Sequence, residues 1–206
     1  GLASGEGSLH AHWGSIHNLD YLKANIAGGE GFDWYYASPE DAEAQRRRPI
    51  EDGAHGEPWI YRPKDLKSWW SLPHHERIAG VRQAQPTDWV PKSKPIWFTE
   101  YGCAAIDKAT NQPHLFVDPK SSESARPRGS SGSRDDAIAM NYLRAMAEYW
   151  GDGRNNPVSP LYGGPMVDME NAHVWCWDAR PFPEFPALTD VWGDGGNYVH
   201  GHWLNG

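Results

Sequence analysis

One carboxylate stands at the end of the most apolar run in the chain, Pro95-Ile96-Trp97-Phe98-Thr99-Glu100-Tyr101, which Gly102 closes. A glutamate held at a strand end could attack an anomeric carbon, or stabilise the positive charge that develops there during glycoside hydrolysis. A second apolar run, His173-Val174-Trp175-Cys176-Trp177, ends in an indole and passes into Asp178-Ala179-Arg180-Pro181. An indole beside such a carboxylate could hold a sugar ring through its flat apolar face. On position alone two alternatives stay open. Glu100 could be a structural carboxylate bonded to loop N–H groups or an arginine, and Trp177 could pack the interior.

Other residues could line the same cleft. Tyr35 and Tyr36 could hydrogen-bond Glu100 or pack in the core. Asp33, Asp178 and Arg180 could line the cleft or sit in surface ion pairs, and Asp118 and Lys120 follow Glu100 in the next loop. A rival chemistry rests on histidine, since His10-Ala11-His12 and His200-Gly201-His202 are His-x-His pairs of the kind that bind an ion at a strand end. Neither follows an apolar strand, so they read as solvated loop histidines, and we expect no metal and no cofactor. Two cysteines, Cys103 and Cys176, make no disulfide framework or zinc-knuckle spacing. They read as free thiols, with a bridge open if their strands are neighbours.

The elements that would position these groups follow from punctuation and periodicity. A helix fits 15–27, with Leu19, Leu22 and Ile26 on one face and Gly28-Gly29 as its stop. Phe32 to Tyr36 reads as extended, and 39–48 as a polar surface helix opened by Pro39. Prolines at 49, 58, 63, 73, 86 and 91 break up the next stretch, leaving room for one short helix near 64–71. The 95–101 run is apolar on both faces of a strand, which predicts cover on both sides, as in a parallel sheet. A long loop follows over 103–132. A helix then runs from Arg134 to about Trp150, capped by Ser133, with Asp135 and Asp136 in its first turn and a stripe of Ile138, Tyr142, Met146 and Tyr149. Strand, helix and strand form a βαβ unit, so 95–101 and 173–177 should be parallel neighbours with Glu100 and Trp177 at their C-terminal ends.

Composition sets the outer limits. The chain has 206 residues, enough for one domain over 1–206, with 1–14 and 121–132 expected to be mobile. Its net charge of −8 disfavours nucleic acid and anionic membranes, whose phosphates it would repel. The one dense basic cluster, Arg46-Arg47-Arg48, reads as a solvated helix face rather than a phosphate site. No stretch approaches the ~20 apolar residues of a membrane helix, and no signal peptide is visible. Twelve tryptophans and nine tyrosines are an unusual count: half-exposed rings suit sugar faces, while at least half of them read as core. The opening Gly1, where Met would be usual, is what an excised segment would show.

Phe98 to Gly102 (FTEYG) and Trp175 to Arg180 (WCWDAR) resemble the strand-end glutamate and tryptophan of retaining TIM-barrel glycosidases. Three longer segments resemble the TIM-barrel-like domain of gene transfer agent and phage-tail baseplate proteins. They are NLDYLKANIAGGEGFDWYYAS (18–38), KPIWFTEYGCAAIDKATNQPHLFVDPKSSES (94–124) and YGGPMVDMENAHVWCWDARPFPEFP (162–186). The resemblance implies an α/β, (β/α)8 glycosidase-like barrel of which this chain holds the C-terminal portion, since such barrels take ~250 residues. It also implies a tail or baseplate component of a phage-like particle, assembled in the cytoplasm. Its partners would be cell-envelope or capsule polysaccharide and other tail proteins. Glu100 would be the nucleophile and Trp177 the sugar platform, with Tyr101, Tyr35, Tyr36, Asp178 and Arg180 around the substrate. No segment matches that family's acid/base glutamate, so the proton donor is expected outside this chain. A non-catalytic glycan-binding or structural tail module is the alternative, and a metal-dependent hydrolase a more distant one.

Overall fold

A computed structural model describes residues 13–52, 54–116, 124–175, 183–193 and 195–196. The chain divides into two units, one made of Gly1–Lys23, Phe98–Glu148 and Ala172–Gly206, the other of Ala24–Trp97 and Tyr149–Asn171.

The second unit is built from short elements tied by side chains at their ends. Helix α1 (Leu19–Ile26) starts in the first unit and ends here. The Asn18 carboxamide opens it by accepting from the N–H groups of Asp20 and Tyr21. It begins later than the expected residue 15. Strand β1 (Trp34–Tyr35) pairs antiparallel with β2 (Arg48–Pro49), Trp34 opposite Pro49 and Tyr35 opposite Arg48. Between them lies α2 (Pro39–Glu43), capped by Ser38. The helix expected over 39–48 stops early because Gln45 takes a positive φ of 55° and the chain turns back to pair with β1. Arg46, Arg47 and Arg48 therefore lie off the helix that the sequence predicted for them.

Helix α3 (Leu66–Ser71) falls where expected, capped by the Asp65 carboxylate, which accepts from the Ser68 N–H at 2.9 Å. Its neighbour Lys64 reaches back and donates its ammonium to the carbonyls of Asn25 and Ile26, at the end of α1. Two consecutive residues thus close one helix and open another. The chain passes Lys64 so closely at Gly29 that a β-carbon there would overlap the Lys64 carbonyl, and Gly29 has a φ of 101°. Only glycine fits. Trp70 is buried and donates its indole N–H to the Lys94 carbonyl. A hairpin of β3 (Arg77–Ile78) and β4 (Val81–Arg82) turns at Ala79-Gly80, both at positive φ. The Glu57 carboxylate grips both strands through Arg77 and Arg82 at 2.5 and 2.7 Å.

Near Ile96, this unit has a parallel bridge to Val167. The Ile96 N–H donates to Met166 O and the Asp168 N–H to Ile96 O. Asn156 fixes that partner segment from below: its Oδ1 accepts from the Val167 N–H, and its Nδ2 donates to the Val167 and Trp150 carbonyls, each at 2.8 Å.

The first unit carries most of α4 (Asp136–Gly151), the longest described helix; Ile138, Met146 and Tyr149 of the predicted stripe are buried, and Ala145 is buried with them. Its cap is Asp135, not Ser133: the Asp135 carboxylate accepts from the Ile138 N–H and lies 2.7 Å from the His17 ring. Ser133 is drawn instead to Asp107, whose carboxylate gathers Ser130, Ser131, Gly132 and Ser133. A parallel bridge joins Tyr101 to Val174.

The expected parallel pairing of the two apolar runs is present, but not as a continuous strand covered on both faces. Trp97 is 54% exposed, and Thr99 and Glu100 are exposed as well. Of the expected partner run 173–177, Val174 is bridged, to Tyr101, whereas Ile96 bridges Val167, which lies before that run and before the 3-10 turn at Met169–Asn171. Among the described residues the fold is mixed α/β, with two-residue ladders and isolated bridges, and no sheet closes into a barrel.

Candidate functional site

The backbone on either side of Glu100 is fixed by the segment that precedes Trp177. The Phe98 carbonyl accepts from the His173 N–H at 2.8 Å, the Tyr101 N–H donates to His173 O at 3.0 Å, and the Trp175 N–H donates to Tyr101 O at 2.8 Å. Glu100 sits within this clasp, and its side chain is exposed. Its carboxylate takes no ion pair or hydrogen bond among the described residues. Gly102 explains the next position. A β-carbon there would overlap the Trp175 carbonyl oxygen, so the chain leaves the strand end only through a residue without one.

Tyr101 is half-buried, its ring 6.2 Å from that of Phe98. Trp175 is 48% exposed beside it. Of the other carboxylates in this unit, Asp107 gathers a loop, Asp135 caps α4, Asp136 pairs with Arg134, and Asp20 and Glu148 share Lys23. Those five have structural work, whereas Glu100 is left to solvent, as are Glu184 and Asp190; of these three, Glu100 alone stands in the clasped segment. Just beyond it, burial and then the charge of Asp135 push the Cys103 thiol up to about 12, so it stays protonated and free.

Trp177, Asp178 and Arg180 lie outside the described residues, as do Cys176, Asp118, Lys120 and both His-x-His pairs. Among the described residues no group of three or more His, Cys, Asp or Glu could hold a metal ion. No described helix is long and apolar enough to cross a membrane.

Tyr35 and Tyr36 belong to the second unit. The Tyr36 hydroxyl donates to Gln45 Oε1 at 3.1 Å, and Tyr35 stands on the wall of an open groove of about 710 Å³. Arg47, Arg48, Pro49, Ile50, Glu51 and Tyr61 complete that wall. Sequence reasoning missed Arg47 and Tyr61 here. The signal was an arginine run next to an aromatic run, which we read as solvated helix surface. It also missed Trp97, whose indole bonds the Asp168 carboxylate while most of the ring stays in solvent.

A family model described as the GTA TIM-barrel-like domain matches residues 3–186. No curated protein matches the chain.

Proposed function

Because the chain belongs to the GTA TIM-barrel-like domain family, we propose that it is a glycoside-hydrolase-like module of a gene transfer agent or phage-like tail, acting on cell-surface polysaccharide. The observation that carries this reading is Glu100: an exposed carboxylate, unpaired among the described residues, at the end of a segment clasped in parallel by 173–175. In glycosidase-like barrels, strand ends of this kind face substrate.

The chemistry would run by retention. Glu100 attacks the anomeric carbon as the glycosidic C–O bond breaks, a second carboxylic acid protonates the departing oxygen, and water then hydrolyses the glycosyl ester. The two carboxyls of a retaining pair stand about 5–5.5 Å apart. Asp20, Asp107, Asp135, Asp136 and Glu148 are spent on structure, so the donor is a carboxyl other than these. Trp177 would hold the sugar, with Tyr101, Asp178 and Arg180 around it.

The test is Glu100→Gln in the intact barrel protein, assayed by release of reducing ends from envelope and capsule polysaccharides. Because removing a nucleophile leaves only residual catalysis, turnover should fall by at least about 10³-fold, with an unchanged circular dichroism spectrum. Turnover equal to the parent's refutes the role of Glu100. A second reading, a module that binds glycan without cleaving it, draws support from the exposed rings of Trp97 and Trp175. It predicts no turnover by the parent, together with weaker glycan retention after Trp177→Ala.

A further inference from the structure

The groove in the second unit has a chemistry of its own. Its wall holds two arginines, Arg47 and Arg48, and two exposed tyrosines, Tyr35 and Tyr61, the latter 54% exposed. In a chain of net charge −8, this is where cationic side chains and flat rings line one concavity.

The two arginines differ in what they are free to do. Asp41 is buried and engages Arg46 at 2.8 Å and Arg48 at 3.5 Å, so the residues flanking Arg47 share one carboxylate. Arg47 takes no carboxylate among the described residues. Its guanidinium lies 4.2 Å from the centre of the Trp34 ring. An indole face holds a guanidinium in place without neutralising it, and leaves its N–H fork open to an anion. Trp34 is itself supported by Phe32 at 4.8 Å and Tyr36 at 5.0 Å. The Tyr36 hydroxyl holds Gln45, and Gln45 bonds the Ala42 carbonyl, which fixes the turn that presents Arg47. The cation is therefore pre-positioned before any ligand arrives, and that lowers the cost of binding.

We propose that this groove binds an acidic saccharide, with a sugar carboxylate on the Arg47 guanidinium and pyranose rings against Tyr35 and Tyr61. A planar fork matches a carboxylate in bidentate fashion, and tyrosine faces suit sugar C–H surfaces. Polyphosphate is the poorer fit. Its closely spaced charges meet the overall −8 and also Glu51 on the same wall, whereas a uronate chain carries one charge per ring and can seat that charge at Arg47. This goes beyond the reading of Glu100, because binding here needs no hydrolysis and does not involve Glu100, Tyr101, Trp177, Asp178 or Arg180; Tyr35 and Tyr36, which the sequence placed around Glu100, are used here instead.

The experiment is isothermal titration of the full chain with hexagalacturonate at moderate salt. A fully methyl-esterified hexagalacturonate serves as the neutral twin, and a hexadeoxynucleotide as the polyphosphate. The acidic hexamer should bind, and each of the other two at least tenfold more weakly. Arg47→Gln should weaken the acidic hexamer at least tenfold, Arg47→Lys by an intermediate factor, and Tyr61→Ala by about threefold or more, all at unchanged thermal midpoint. Glu51→Gln should tighten it. Arg154→Gln removes an equal charge from an exposed arginine that is paired with Asp152, and it should change the affinity less than twofold. Equal binding of the esterified hexamer, equal binding of the nucleotide, no binding of the acidic hexamer, or an Arg154→Gln loss matching that of Arg47→Gln would each overturn the proposal. Loss of turnover on Glu100→Gln with hexagalacturonate affinity intact would show the two sites to be separate.

Discussion

Glu100 and Cys103 are three residues apart, and their environments send them in opposite directions. The carboxylate is exposed at the strand end. The thiol has turned inward, and burial, helped by the nearby Asp135 charge, raises it to about 12. A thiolate is the reactive form, so at pH 8 fewer than about one Cys103 in a thousand is nucleophilic in the folded protein. Iodoacetamide at pH 8 should therefore label Cys103 at least tenfold more slowly than the same chain unfolded in guanidinium, as read by peptide mass spectrometry. Equal rates would mean that the thiol is not buried as described. The contrast also assigns chemistry: at this strand end the group offered to solvent is the acid, and the sulfur is packing.

At the scale of elements, the clearest test is the start of α4. Asp135 accepts the Ile138 N–H and meets His17, whereas Ser133 belongs to the Asp107 loop clamp. Losing a cap of this type costs ~1 kcal/mol. Asp135→Ala should lower the unfolding free energy by about that amount or somewhat more, and Ser133→Ala should cost less, since its backbone N–H still donates to Asp107 and only the hydroxyl contact with Ser131 is lost. Urea denaturation of the two variants decides it, and a larger loss for Ser133→Ala would restore the sequence-based choice of cap. That choice failed for a local reason: serine and aspartate both cap well, and only the fold shows that the Ser133 hydroxyl is bonded to Ser131 while Asp135 takes the Ile138 N–H. The helix itself, its apolar stripe and the parallel pairing of 95–101 with the 173–177 run, seen at Tyr101 and Val174, were legible, because 3.6-residue periodicity and βαβ order are properties of the chain; the bridge of Ile96 to Val167 was not. The broken ladder was not read, although its cause is local: the Asp168 carboxylate accepts from the Glu170 N–H and the Asn171 side-chain amide and so closes the 3-10 turn at Met169–Asn171. Arg47 was not read either. Three adjacent arginines look equivalent in sequence, and they become unequal only when Asp41 takes two of them and Trp34 the third.

For the whole molecule the governing quantity is acidic charge, 27 carboxylates against 19 basic side chains, and the fold uses several of those acids as clamps. The strongest case is Glu57, held down to about 2 chiefly by its hydrogen bond from Arg82 and then by Arg77, against an ordinary value of 4.5. A carboxyl whose folded value is lowered binds its proton more readily when unfolded. Its contribution is therefore fully present above pH 4.5 and drains away as pH falls from 4.5 towards 2. Asp107 and Glu148 are also lowered, by hydrogen bonds from serines and from Arg144, and they add slope of the same sign. Glu30 works against them. Burial raises it, so protonation favours the folded state and its contribution grows as pH falls. The Glu57 clamp should be worth about 1 kcal/mol at pH 7, allowing for solvent around its arginines. Glu57→Gln should thus unfold at lower guanidinium than the parent at pH 7, and the two stability curves should converge as pH approaches 2, because the parent loses there what the variant never had. Curves that stay parallel between pH 5 and pH 2.5 would show that Glu57 does not carry the acid sensitivity of the Arg77–Arg82 hairpin.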